Sequence, residues 1–291
     1  AYELDMARAS VLVWLVLAAT AAAGGLYAYW SKRVAVDKSV SPLPPRAPVR
    51  AWEKWLTATV LAMLVLCCLL PLAAVWFKAA AAGSSWAVLL EAQTWAAAWN
   101  TIRFSAAAVA AATVLGVLYA AAARQMAWLR ALMFLPFMVS PVCIAFGVLL
   151  LYPQWTASLW LLTATYALLA YPFVAKDVLA AWDGLPKDYA AAARTMGANG
   201  FQTACYVTAP LLKPALRRGL TLASATCIGE FAATLFLSRP EWQTLTTLIY
   251  DYLGRAGADN YGRAMVLTAV LTALALAAFL LVDEAEGQKA V

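Results

Sequence analysis

Two places in this sequence could do chemistry. The first is Glu230, the sole acidic residue well inside the apolar stretch Leu216–Leu237. A carboxylate in hydrocarbon is costly, so it is either a structural group paired with a neighbouring helix or polar side chain, or a cation-facing group in a pathway. The second is Tyr189–Pro214, YAAAARTMGANGFQTACYVTAPLLKP, which is alanine-rich, broken at Gly197 and Gly200, and stopped by Pro210 and Pro214. The usual tools of catalysis are missing around them. There is no histidine, the commonest general base and metal ligand. Cys67, Cys68, Cys143, Cys205 and Cys227 form no CxxC pair and read as small hydrophobes, not as a metal or redox site. No GxxxxGK[ST] occurs, so the chain has no phosphate-cradling loop of its own. No catalytic residues and no metal site are expected.

The elements that must position these residues follow from composition. Apolar residues make up 65% of the chain and charged residues 12%, with a mean hydropathy of +0.75. A soluble domain carries about 45–50% apolar and about 25% charged residues. The excess belongs to an all-α, polytopic membrane protein, because the apolar segments are long and few alternate as barrel strands do. A span needs about 20 apolar residues. Seven segments qualify: Ser10–Trp30, Trp55–Phe77, Thr101–Ala122, Trp128–Tyr152, Trp155–Val174, Leu216–Leu237 and Ala264–Val282.

Basic residues orient them. Ser31–Lys54 carries Lys32, Arg33, Lys38, Arg46, Arg50 and Lys54; Ala123–Arg130 carries Arg124 and Arg130; Lys176–Arg218 carries Lys176, Lys187, Arg194, Lys213, Arg217 and Arg218. Seven spans put these three segments on one side, the cytoplasmic one, with the N-terminus outside and the C-terminus inside. The net charge of +6 is thus explained by topology, and no nucleic-acid partner is expected. SPLPPRAP within residues 31–54 reads as an extended, semi-rigid linker between two membrane units. Ser10–Trp30 lacks a basic start, so it is a poor signal peptide, and the chain reads as the tail of something longer.

Pro186 and Asp188 give a helix start, Tyr189–Met196 is helix-forming, and Gly197 is placed to end it. A second short helix is expected from Phe201 to Ala209, closed by Pro210. Two short helices with a tight bend would then lie at the membrane face. The alternative is a plain connector, but long ordered connectors tend to be functional.

The spacing AAARTMGANGFQTACYVTAP resembles the EAA loop of ABC-transporter permeases: EAA, three residues, Gly, nine residues, an aliphatic, one residue, Leu, Pro. Ala191, Ala192 and Ala193 stand at the EAA positions, Gly197 at the glycine, Val207 at the aliphatic and Pro210 at the proline. Ala191 replaces the glutamate and Ala209 the leucine. Residues 55–283 resemble the six-span half of a binding-protein-dependent importer permease, with a coupling loop at 186–214. The stretch GEFAATLFLSRPEWQTLTTLIYDYLG is similar to the ferric-iron and thiamine branch, which often fuses two halves in one polypeptide. Residues 1–30 then look like the last span of a preceding half, 31–54 its linker, and 284–291 a cytoplasmic tail.

The resemblance implies a permease subunit of an ATP-driven importer in a bacterial inner membrane. It implies two copies of an ATP-binding subunit that carry ATP and magnesium, and no cofactor on this chain. A periplasmic or extracellular binding protein would deliver a small solute, ferric iron first and thiamine next. Pro136, Ser140 and Pro141 mark the Trp128–Tyr152 helix as kinked and either pathway-lining or merely bent. Glu230 could face the same pathway. Tyr250, Tyr252 and Tyr261 read as an aromatic belt at the outer interface. The competing reading is a secondary transporter using an intramembrane carboxylate.

Overall fold

The computed structural model describes residues 50–133, 135–155 and 158–283, with isolated positions between 11 and 22. Apart from those positions, the Ser10–Trp30 span lies outside the described residues, as do residues 31–49 of the linker and the tail 284–291. Every regular element among the described residues is helical. α1 (Ala51–Ala80) leads through a 3₁₀ turn at Gly83–Leu90 into α2 (Ala92–Gln125). The short α3 (Ala127–Leu132), α4 (Leu135–Met138) and α5 (Pro141–Leu151) follow, then α6 (Leu159–Gly184). The remainder is α7 (Lys187–Thr195), α8 (Gly200–Thr203), a wide π-turn at Ala204–Thr208, α9 (Ala209–Ile228), α10 (Ala232–Leu237), α11 (Leu245–Gly254) and α12 (Ala258–Asp283).

Four of these are long and apolar enough to cross a membrane: α1, α2, α6 and α12 through Val282. α9 has the length, but Lys213, Arg217 and Arg218 occupy its first half. Two expected spans are interrupted. Trp128–Tyr152 is three short helices, because Pro141 opens α5 and forces Ser140 before it into extended backbone, φ −56° and ψ 134°. Leu216–Leu237 breaks at Gly229–Phe231, so α9 and α10 are separate. Residues 51–54, expected in the linker, are already helix, and the Arg50 N–H donates to the Glu53 carboxylate at 3.3 Å.

The core sits where α2 and α9 cross α6. Phe104, Ala108, Ala112, Gly116 and Ala120 recur every four residues on α2 and are all buried. One face of α2 is therefore nearly bare of side chains, which is how apolar helices approach closely when no hydrophobic force distinguishes helix from lipid. A Cβ on Gly116 would lie 2.7 Å from the Val174 Cβ. At the same α6 residue, a Cβ on Gly219 would lie 2.7 Å from the Val174 Cα. A second cluster joins Leu245, Leu248, Ile249 and Tyr252 of α11 to Val266 and Leu267 of α12, with Val88 and Ala97. Arg263 clamps this end, pairing with Glu91 at 2.7 Å and Asp259 at 2.9 Å. Tyr252 donates to the same Glu91 at 3.0 Å and is buried, so it is not a belt residue; Tyr250 and Tyr261 are exposed.

α1 stands apart, with Ala79 as its one buried residue.

Gly219→Ala is expected to destabilise the bundle by about 1–3 kcal/mol, since the methyl meets backbone that cannot rotate away. Gly147→Ala, where a Cβ meets nothing within 4 Å, should be near neutral by comparison. Apparent melting temperatures of the purified proteins in one detergent test the contrast.

Candidate functional site

α7 ends as its sequence requires. Gly197 has φ +91°, a backbone region closed to most side chains, and that turn lets the Gly197 N–H reach the Arg194 carbonyl at 3.0 Å. The Ala198 N–H closes on the Ala193 carbonyl, also at 3.0 Å, which completes a Schellman motif. Asn199 and Gln202 then cap α8 reciprocally: the Gln202 N–H donates to Asn199 Oδ1 at 2.8 Å and the Asn199 N–H to Gln202 Oε1 at 2.9 Å.

The second expected helix does not stop at Pro210. It runs on through Ala204–Thr208 into α9, with Pro210 in the first turn. The π-turn is the reason. The Ala209 N–H bonds to the Ala204 carbonyl, one residue further back than in an α-helix. This widening sits where the proline ring would clash and where its missing N–H would leave a carbonyl without a partner. Gly200 to Ile228 is therefore one helical rod of about 43 Å.

The rod and α7 enclose a cavity of about 250 Å³ whose lining includes Arg124, Trp182, Tyr189, Ala191, Arg194 and Val207. The fold thus brings Ala191 and Val207 together. Gly197 makes the bend beyond them, and Pro210 lies on the exposed side of the rod. Ala192 is exposed, and Ala193 is half-buried beneath the Schellman turn. Arg124 lies over the Trp182 ring at 4.8 Å and within 3.7 Å of Asp183, which also holds Arg130 at 2.7 Å. Around the bend three large apolar side chains face outward: Met196 is 88% exposed, Phe201 78% and Tyr206 79%. Exposed apolar side chains of this size are candidates for contact with a partner.

Glu230 lies in the α9–α10 break and is 7% exposed. Its Oε1 accepts the Ala233 N–H at 3.1 Å, so the carboxylate caps the first turn of α10. Its carbonyl accepts the hydroxyls of Tyr166 at 3.3 Å and Thr246 at 3.0 Å, and Tyr166 also bonds Thr234. The group fixes a break in a helix. α10 packs on α5, with Phe236 edge-on to Phe146 at 6.2 Å, so the two interrupted spans are neighbours. Pro136 and Ser140 are half-buried and Pro141 is exposed. No hydrogen bond joins Ser140 to Glu230 among the described residues.

The family described as "Binding-protein-dependent transport system inner membrane component" matches residues 47–283. The chain belongs to that family. Several transport-system permeases are similar in sequence. A putative 2-aminoethylphosphonate transport system permease protein of Salmonella typhimurium is 29% identical over 203 residues, 67% of this chain and 72% of that protein. The sulfate transport system permease protein of Escherichia coli is 32% identical, over 51% of this chain and 58% of its own. The molybdenum transport system permease protein of Haemophilus influenzae is 30% identical, over 37% and 48%. A crystal structure of a bacterial ABC transporter that imports alginate superposes with a TM-score of 0.64 at 17% identity, over 84% of this chain and 100% of that one, and shows the shared fold. None of these permeases is named for ferric iron or thiamine, so the expected iron and thiamine branch finds no support in them.

Polar residues that the sequence reading passed over hold the opposite end of the bundle. Asn100 donates to the carbonyls of Glu241 at 3.1 Å and Gln243 at 2.8 Å, and Thr101 accepts the Leu245 N–H at 2.9 Å. An asparagine and a threonine at the head of an apolar run were the available signal.

Glu230→Gln should retain both stability and transport, because the amide oxygen still accepts from α10. Glu230→Ala should cost about 1–3 kcal/mol, because the buried Ala233 N–H loses its acceptor. A glutamine variant that is stable but transport-dead would mean that the charge itself is needed.

Proposed function

We propose that the chain is the membrane-spanning permease of an ATP-driven importer and that the α7–α8 bend seats a separate ATP-binding subunit. The observation that carries this is the rigid bend at Gly197, which presents Met196, Phe201 and Tyr206 to solvent at the base of a continuous rod. Helix-in-groove docking of such a patch supplies affinity, and the rod supplies leverage. A push on the bend moves α9 along α6 and reaches the Glu230 break without an intervening loop.

ATP and magnesium belong to that partner, present in two copies, and this chain contributes no catalytic group. The membrane is a bacterial inner membrane and the bend faces the cytoplasm, in keeping with its basic flanks Lys187, Arg194, Lys213 and Arg218. A soluble binding protein delivers the solute from the other side. The alginate importer provides a structural parallel, since it was crystallised with a solute-bound periplasmic protein. A second permease half completes the pathway, lined in part by Pro136 of α4 and by Ser140 and Pro141 at the α4–α5 break.

The solute we assign is a small oxyanion-bearing molecule. The relatives named for 2-aminoethylphosphonate, sulfate and molybdenum support that class. A secondary transporter is disfavoured because Glu230, its one candidate relay, is occupied as a helix cap.

The test is co-purification of the full-length protein with its ATP-binding subunit. Gly197→Pro cannot adopt φ +91° and should abolish association, while Phe201→Asp should weaken it at least tenfold with the fold intact. A folded wild-type protein that recruits no ATPase would overturn the reading.

A further inference from the structure

A second cavity, of about 470 Å³, opens at the far end of the bundle from the α7 bend. Gln93 lines it at the start of α2, whereas Arg124 near the other end of that helix lines the cavity under α7. The two sites are thus about 46 Å apart along the helix. The lining mixes the apolar Leu235 and Pro240 with polar groups of both signs, Gln93, Arg239, Gln243 and Asp251. A volume in this range suits a small ligand held by a few placed polar groups.

The charged pair is set up to meet a ligand. Arg239 has no carboxylate within ion-pair distance among the described residues, and its guanidinium lies over the Trp242 ring at 5.3 Å. Trp242 is steadied by Phe104, edge-on at 6.5 Å. Asp251 is oriented from the other side. Gln93 donates to Gln243 Oε1 at 2.8 Å, and the Gln243 amide donates in turn to one Asp251 oxygen. Among the described residues no hydrogen bond reaches the second carboxylate oxygen. The connecting turn is itself pinned to α2 by Asn100 and Thr101. An arginine with spare donors and a carboxylate with a spare acceptor therefore share one cavity without neutralising each other.

A bare oxyanion would gain Arg239 but face Asp251 unpaired, and a bare cation would suffer the reverse. A ligand with both charges satisfies both walls. Resting on the importer reading above, we infer that this cavity is a solute-contacting site for a small zwitterion carrying an oxyanion and an ammonium group. Arg239 takes the oxyanion and Asp251 the ammonium. The site lies where a solute would enter from a binding protein, and a phosphoethanolamine lipid headgroup has the same chemistry.

The experiment is equilibrium binding of radiolabelled 2-aminoethylphosphonate to the complete permease–ATPase complex in phosphatidylglycerol nanodiscs, without binding protein. Unlabelled 2-aminoethylphosphonate should displace it at least about tenfold better than ethylphosphonate or ethanolamine, which each lack one charge. Arg239→Gln should weaken the zwitterion and ethylphosphonate but spare ethanolamine. Asp251→Asn should weaken the zwitterion and ethanolamine but spare ethylphosphonate. Arg239→Lys and Asp251→Glu should restore part of each loss, which a folding defect would not permit. Equal displacement by all three compounds, uniform loss in both variants, or no saturable binding to a wild-type complex that hydrolyses ATP would overturn the inference while leaving the importer reading in place. Binding abolished by phosphatidylethanolamine in the nanodisc would overturn the solute assignment in favour of a headgroup. Failure of the ATPase to assemble would count against the importer reading itself.

Discussion

The bundle hangs on one close approach. At Val174 of α6, helices α2 and α9 converge through Gly116 and Gly219, each without a Cβ where one would collide. In lipid there is little to gain from burying one apolar surface against another, so contact must come from fit. The small-residue stripe on α2 supplies it, and α9 is held against the same point of α6.

That constraint gives the two ends of the molecule their relation. The α7 bend is tied to α9 by an uninterrupted helix, and α9 ends at the Glu230 cap. Beyond the cap lie α10, the turn pinned by Asn100 and Thr101, and the mixed-charge cavity. Val174 therefore lies between the α7 bend at one end of the bundle and the polar cavity near the other. α1 shares little of this, touching the bundle chiefly near Ala79.

Much of this was legible in the sequence, for definable reasons. Gly197 announced its own turn, because few other residues suit φ +91° and an alanine-rich run preceded it. Long apolar segments announced α1, α2, α6 and α12, since lipid demands length and composition together. Pro141 was read as a kink and proved a break, because the restriction falls on Ser140 before it. Pro210 was misread as a stop: it falls in the first turn of α9, directly after the widened π-turn at Ala204–Thr208. α11 was missed between the expected spans Leu216–Leu237 and Ala264–Val282, although Leu245, Leu248, Ile249 and Tyr252 carry the i, i+3, i+4, i+7 spacing of a buried helix face. The Arg239 and Asp251 cavity was beyond reach, since it depends on how three segments fold back on one another.

The π-turn at Ala204–Thr208 has one more effect. A π-turn accommodates one residue more than the α-helix it interrupts, and one residue is about 100° of rotation. Phe201 before the turn is therefore out of angular phase with Leu212, Ala215 and Gly219 after it. The compass bearing of the contact surface is set separately from that of the membrane face. A sequence can turn one relative to the other by gaining or losing a single residue here, leaving the packing at Val174 as it is.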